Sequence, residues 1–260
     1  MPSPSRHQGF SLIELALGLV IVATMLSALL VPLATQIDQR RTTETEKLLA
    51  EARDALIGFA IAQGRFPCPA TAASSGVETF SAGNSATTGV CAQFRGYLPA
   101  VTLGLSPLDR DGYMIDGYGG DRNRLRYAVA QQVLPSGNQA FTSAGGIQAL
   151  TIGGLSTATP AWLAICSEDS TSNTSCSTGV TLANKSAIVV VWSLGNNTTT
   201  TDAVTGRSPD ETENLSIDDT NRVFVSRTRS DKTNEEFDDL LLWIAPNVLI
   251  NRMVSAGRLP

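Results

Sequence analysis

The chain has 260 residues, a formal charge of −5 and a pI near 4.9, so its summed field repels nucleic acid and gives phosphate no long-range attraction. Aromatic residues are 6% of the total, too few to build a platform for stacking unpaired bases, and the length leaves room for one domain with a real core without requiring a second. The sole histidine is His7, so a chain trimmed beyond it has no Ser/His/Asp or Cys/His catalysis and no histidine-ligated metal open to it.

Met1 to Gln8 form a short polar stretch carrying Arg6 and His7; Gly9 follows, and an apolar run then reaches Ala34. From Leu15 to Ala34 no residue is charged, and at about 1.5 Å per residue that run matches a bilayer core of about 30 Å. The expectation is a long N-terminal helix whose first half is transmembrane. One carboxylate, Glu14, interrupts the apolar segment, where an ionised group costs roughly 2.5 kcal/mol or more unless a partner offsets it. A secretory signal is cut after its apolar region. Here the small residue lies before it, so a cut after Gly9 discards the leader, keeps the helix and creates an amine at Phe10. That amine is poorly placed for Glu14 of the same chain, but a neighbouring copy shifted along the axis would present its own. The alternative is a plain signal anchor with Glu14 at the headgroup boundary.

Beyond Pro32 the helix is expected to continue. From Thr35 to Gln63 only Gly58 interrupts a stretch free of glycine and proline, and Leu48, Leu49, Ala52, Leu56, Phe59 and Ala60 fall at helical spacing on one apolar face. Gly64 is the expected stop, ahead of Arg65-Phe66-Pro67-Cys68-Pro69, whose prolines forbid further helix. Such a rod, from Ser11 to Gln63, is about 80 Å long.

The strand candidates are Leu125 to Val133, Trp162 to Cys166, Ala187 to Leu194 and Val223 to Arg227, with Ile188 to Trp192 the most apolar and expected at the centre of a sheet. Leu240 to Ile244 reads equally as a strand or a buried turn of helix; Pro246 to Gly257 reads as a short C-terminal helix. Helix first, then mainly antiparallel strands, gives an α+β class. Cys68, Cys91, Cys166 and Cys176 are even in number and contain no CxxC pair, which favours disulfides over a zinc knuckle. Three connectivities are open; proximity favours Cys68 with Cys91 and Cys166 with Cys176, each closing a polar loop for roughly 3 kcal/mol.

Two polar regions are candidates for chemistry. Asp109-Arg110-Asp111-Gly112-Tyr113, followed by Asp116 and Asp121, superficially suggests a calcium loop, but Tyr113 stands at the third ligand position and Gly120 at the twelfth, so it reads first as turns. The second region runs from Ser193 through Ser208 to Asp219 and returns at Glu235 to Asp239. Its carboxylates, with backbone carbonyls of one long loop, suit a hard cation such as calcium; a solvated acidic loop is the alternative.

Gly9-Phe10-Ser11-Leu12-Ile13-Glu14 resembles the class III signal of type IV pilins and type II secretion pseudopilins, which combines cleavage site, carboxylate spacing and apolar run. Pro32 departs by falling one residue later than the helix proline of most pilins. The resemblance implies that a prepilin peptidase cuts between Gly9 and Phe10 and N-methylates Phe10, and that Glu14 pairs with the Phe10 amine of an adjacent subunit during assembly. It divides the chain into a leader (1–9), a transmembrane and assembly half of the helix (10–36), an amphipathic half (37–64) and a periplasmic or extracellular head (65–260). The head would be a pilin-like, mainly antiparallel sheet packed on the helix.

Pro107-Leu108-Asp109, Arg126-Tyr127, Ser193-Leu194-Gly195 and Asp239 with Trp243 follow the block order of the larger pilins and major pseudopilins, in which the acidic loop after Ser-Leu-Gly binds structural calcium. Asp210, Glu213, Asp218, Asp219 and Asp238 are the corresponding ligand candidates, although the Thr-rich segment Thr198 to Thr205 makes this loop much longer. No other cofactor is expected. The implied partners are the prepilin peptidase, other pilin or pseudopilin subunits, an inner-membrane assembly platform and membrane lipid before assembly, with no nucleic acid. The implied location is single-pass in the inner membrane with the head in the periplasm, then the pilus or pseudopilus. The expected function is a structural, minor or specialised subunit without enzymatic activity. An adhesin or cargo-binding pseudopilin and, more remotely, a membrane-anchored enzyme using Asp109 and Asp111 are the other readings.

Overall fold

The structure is a computed structural model that describes residues 11–119, 123–156, 162–177, 179, 181–196, 208–216, 218–232 and 235–259; the side chains of 26–34, 156, 184 and 185 lie outside the description. Gly9, Phe10, Asp121, the Thr198 to Thr205 segment and the Pro32 side chain therefore fall outside it. The chain divides into two compact units, Met1–Thr43 and Glu44–Pro260.

Within the first unit, helix α1 (Leu12–Gln63) begins just after Ser11. Leu12, Ile13, Leu19, Val20 and Met25 are all more than half exposed. The expectation of a transmembrane half is corrected here. Among the described residues no helix is long and apolar enough to cross a membrane. The described apolar stretch Leu12 to Met25 extends about 21 Å at 1.5 Å per residue, short of the roughly 30 Å of hydrocarbon it would have to span. The single-pass inner-membrane location is corrected on the same finding.

In the second unit, the remaining turns of α1 bury Leu48, Leu49, Ala52, Leu56 and Ala60 of the face that the spacing indicates, and Ile57 beside them. Phe59 is only partly buried; its ring lies 5.1 Å from the Arg65 guanidinium. Gly64 closes the helix with φ +67° and its amide on the Ala60 carbonyl at 2.8 Å, a left-handed cap that glycine adopts without a side-chain clash.

Four strands form an antiparallel sheet in the order β1 (Arg95–Tyr97), β2 (Arg126–Val129), β5 (Val189–Ser193), β7 (Leu240–Ile244). Every residue of β5 is buried, consistent with its continuous β-branched run and its place between β2 and β7. The second sheet has the order β4 (Thr181–Ala187), β3 (Leu163–Cys166), β6 (Val223–Val225), with β3 antiparallel to β4 and parallel to β6. The architecture is thus α+β with mainly antiparallel sheets. The expected single strand Ala187 to Leu194 belongs to two sheets: it breaks at Ile188, whose amide bonds the Ile244 carbonyl and whose carbonyl accepts from Ala130. Helices α2 (Ala100–Leu103), α3 (Gly146–Ser156), α4 (Pro209–Leu215) and α5 (Pro246–Ser255) complete the unit. Thr151, with φ 58°, interrupts α3.

One large cluster joins the α1 face to both sheets, with Trp192 edge-on to Phe224 at 4.9 Å and Phe141 edge-on to Trp162 at 6.0 Å. Cys68 bonds Cys91 and Cys166 bonds Cys176, the pairing that proximity favours.

Candidate functional site

Two places hold the residues singled out by the sequence: the start of α1 and the acidic surroundings of α4. At the first, Ser11 precedes the helix and Glu14 is its third residue. The Glu14 carboxylate accepts the Ser11 amide at 3.0 Å, and the Ser11 hydroxyl accepts the Ile13 amide at 3.4 Å. The first is the carboxylate half of a capping box and the second an N-cap bond to the amide one residue earlier; both satisfy amides that have no partner inside a helix. Beyond this polar start the described surface is apolar all round: Leu15, Leu17, Leu19, Val20, Ile21 and Val22 are exposed. A helix apolar on every side stays covered in water only by packing against other apolar surface.

Of the five acids considered as cation ligands, the structure gathers one with two others. Asp238 stands with Glu211 and Asp239, one oxygen from each within 4.8 Å of the rest. Glu211 and Asp239 are buried and Asp238 is partly so. Helix α4 positions Glu211: Ser208 caps it by accepting the Glu211 amide at 3.4 Å, and Pro209 occupies its first turn. Glu211 in turn accepts the Asp238 amide at 3.1 Å, while Asp238 accepts the Asn196 amide at 2.9 Å across the turn after β5. Asn214 donates to Asp239 at 2.8 Å and also exchanges two bonds with the backbone of Val225. Three oxygen donors of this kind could hold a hard cation. In the described contacts they splice α4, β6 and the lead-in to β7.

The other four candidates have separate tasks. Asp210 pairs with Arg227 at 2.7 Å and accepts the Asp169 amide at 2.6 Å. Glu213 accepts from Asn221 at 2.7 Å, and burial, aided by the charge of Asp169, pushes its carboxyl above the ordinary value. Asp218 accepts the amide and hydroxyl of Thr220, bonds that hold its carboxyl below the usual range. Asp219 accepts the amides of Phe94 and Arg95 at 2.8 and 3.1 Å. Arg95 beneath them is buried against Phe224 and donates to the carbonyls of Glu213, Asn221 and Val223; burial lowers its pKa to about 10.

Asp109 and Asp111 form turns, as their sequence suggests. Asp109 accepts the amides of Asp111 and Tyr113, and Arg124 bridges Asp109 and Asp111 while lying 4.3 Å above the Tyr113 ring. Sequence reasoning passed over Glu211 and Asp239 as ligating partners, although both belong to the acidic blocks; which acids converge depends on how α4 meets the approach to β7. It also passed over the Ser11 to Glu14 box, although Ser-x-x-Glu ahead of an apolar run is its signal. Compared with protein-family models, curated proteins and solved structures, the chain matches none.

Proposed function

We propose that the chain is a structural subunit of a pilus-like or pseudopilus-like filament, cut after Gly9 by a prepilin peptidase and assembled through the first turns of α1. The observation that carries this reading is the exposure of the apolar side chains between Leu12 and Met25, broken by the single charge of Glu14, directly after a cleavage-like Gly9-Phe10 pair. Apolar area of that extent gains roughly 25 cal/mol per Å² when like helices cover it, a larger drive than scattered surface contacts supply. The acids described above serve the fold, and no nucleophile with an adjacent base stands out among the described residues, so assembly rather than catalysis is the reading favoured. N-terminal mass spectrometry of the protein from its own cells tests it. A chain that begins with N-methylated Phe10 and is recovered in sheared filaments is expected; a chain that begins at Met1 and is absent from filaments overturns the proposal.

A further inference from the structure

Four strand edges bound the two sheets, and two of them are closed by the chain itself. Outside β1, Tyr97 exchanges both backbone bonds with Ala70 at 2.9 Å. Outside β6, the Asn214 side chain stands in for a strand, accepting the Val225 amide and donating to the Val225 carbonyl. The third edge strand, β4, is mostly polar. The fourth, β7, is different. It reads Leu-Leu-Leu-Trp-Ile and pairs in unbroken register with β5, from Ser193 opposite Leu240 to Val189 opposite Ile244. It contains no proline, no charge and no bulge. Along its other side no backbone partner of Leu240 to Trp243 is found among the described residues, and all four residues are partly exposed. Native edges are blunted by such devices, and an apolar edge without them is a ready template for a further strand.

Beside this edge α1 forms one wall of a groove of about 340 Å³, lined by Glu46, Leu49, Ala50 and Arg53 on the helix and by Leu240 to Leu242 on the strand. The helix wall is acidic at one end, apolar in the middle and basic at the other. Glu46 and Arg53 lie seven residues apart on α1, about 10 Å along its axis, the reach of about three strand residues. Glu46 is exposed. The Arg53 Nε is shielded from water and has no hydrogen-bond partner among the described residues, while its Nη2 reaches Asp54 only at a loose 3.5 Å.

We propose that the β7 edge is a docking site for an extended strand of another protein, one whose groove-facing side chains read base, apolar, acid. The base meets Glu46, the apolar residue meets Leu49 and Ala50, and the acid meets Arg53. Main-chain bonds to β7 supply affinity, and the alternate side chains supply selectivity. Two copies pairing through this same edge would be related by a twofold axis, which sets their Glu44 to Gln63 helical stretches antiparallel. Subunits repeated head to tail along a filament carry their helices in one direction. The choice of a foreign strand therefore rests on the filament reading above; the open edge does not.

The test titrates the full chain, dispersed in detergent, with the peptide acetyl-Thr-Lys-Thr-Val-Thr-Glu-Thr-amide, whose Lys, Val and Glu share one face. The control peptide carries Lys in place of Glu. The readouts are hydrogen exchange of the Leu240 to Trp243 amides and sedimentation of the chain alone. Every second amide of β7 faces away from β5. Those amides are expected to slow about threefold or more at millimolar acidic peptide, and the control to bind about fivefold more weakly. Arg53→Glu is expected to reverse that order of preference. Outward amides whose exchange the acidic peptide leaves unchanged overturn the proposal, as does equal binding of the two peptides by wild type or an unaltered order in Arg53→Glu. A chain that sediments as a dimer without peptide, with its outward amides already slow, identifies a second copy as the occupant and overturns it too. A chain that begins at Met1 and is absent from filaments removes the filament reading instead, and the titration still decides whether the edge takes a strand.

Discussion

Asp116 and Asp109 lie seven residues apart, and burial pushes both carboxyls up, yet their net shifts have opposite signs because their partners differ. Asp116 is buried and accepts from Ser193, Asn123 and the amides of Tyr118 and Gly119; burial outweighs those donors and raises its carboxyl above the ordinary value near 3.8. The folded chain therefore holds this proton more tightly than the unfolded one. Its stabilising effect is complete below the ordinary value and fades as pH rises through the raised one. The stability of wild type relative to Asp116→Asn should increase as pH falls from neutral into the acid range, read from urea midpoints; a flat or opposite trend contradicts this account. For Asp109, burial alone would raise the carboxyl, but the Tyr113 amide, Arg124 and the Asp111 amide hold it below the ordinary value. Its contribution is present above that value and is lost as pH falls through the depressed one. Arg124→Gln should cost about 1–3 kcal/mol at neutral pH, by stripping a partner from a mostly buried carboxylate. That cost should shrink toward zero as Asp109 is protonated.

At the scale of elements, the turn after β5 and the cross-links carry the consequences. Gly195 has φ +68°, and a side chain there would run into the Asp238 carboxylate and carbonyl. Gly195→Ala should therefore destabilise by about 2 kcal/mol or more, through backbone strain and displacement of Asp238, and thermal unfolding would measure it. The Cys68–Cys91 bond spans 23 residues and Cys166–Cys176 spans 10. In the chain-entropy model, replacing the first pair by serine should cost roughly 3 kcal/mol and the second somewhat less, comparable on denaturant midpoints. The sequence reading missed β1 (Arg95–Tyr97), only three residues long, and β4 (Thr181–Ala187); β4 contains Asn184, Lys185 and the exposed Leu182, so it lacks the alternation that marks a half-buried strand. It exists because β3 offers it a ladder. Ile188 to Trp192 needed no such help, since four β-branched residues and a tryptophan bury wherever they are placed.

For the whole molecule, the proposed filament role would draw on residues other than those that hold the fold. The large core cluster lies in Glu44–Pro260, whereas Leu19 in the other unit is 63% exposed. Leu19→Lys should leave the unfolding midpoint within about 0.5 kcal/mol of wild type, because nothing packed is lost, while filament incorporation falls sharply. Equal incorporation would remove the apolar helix from the assembly account.

The α+β class, the helix whose Leu48 to Ala60 face is buried and the central position of Val189 to Trp192 were legible in the chain alone, because hydrophobic period is a local property; the cysteine separations favoured the observed pairing among three without deciding it. Tertiary structure alone decided that Ala187 to Leu194 divides between two sheets, that Glu211 and Asp239 rather than Asp210 or Glu213 join Asp238, and that Arg95 is buried under α4 and β6. Each of these depends on which distant segments meet, and a burial pattern read along one strand or loop contains no information about its partner across space.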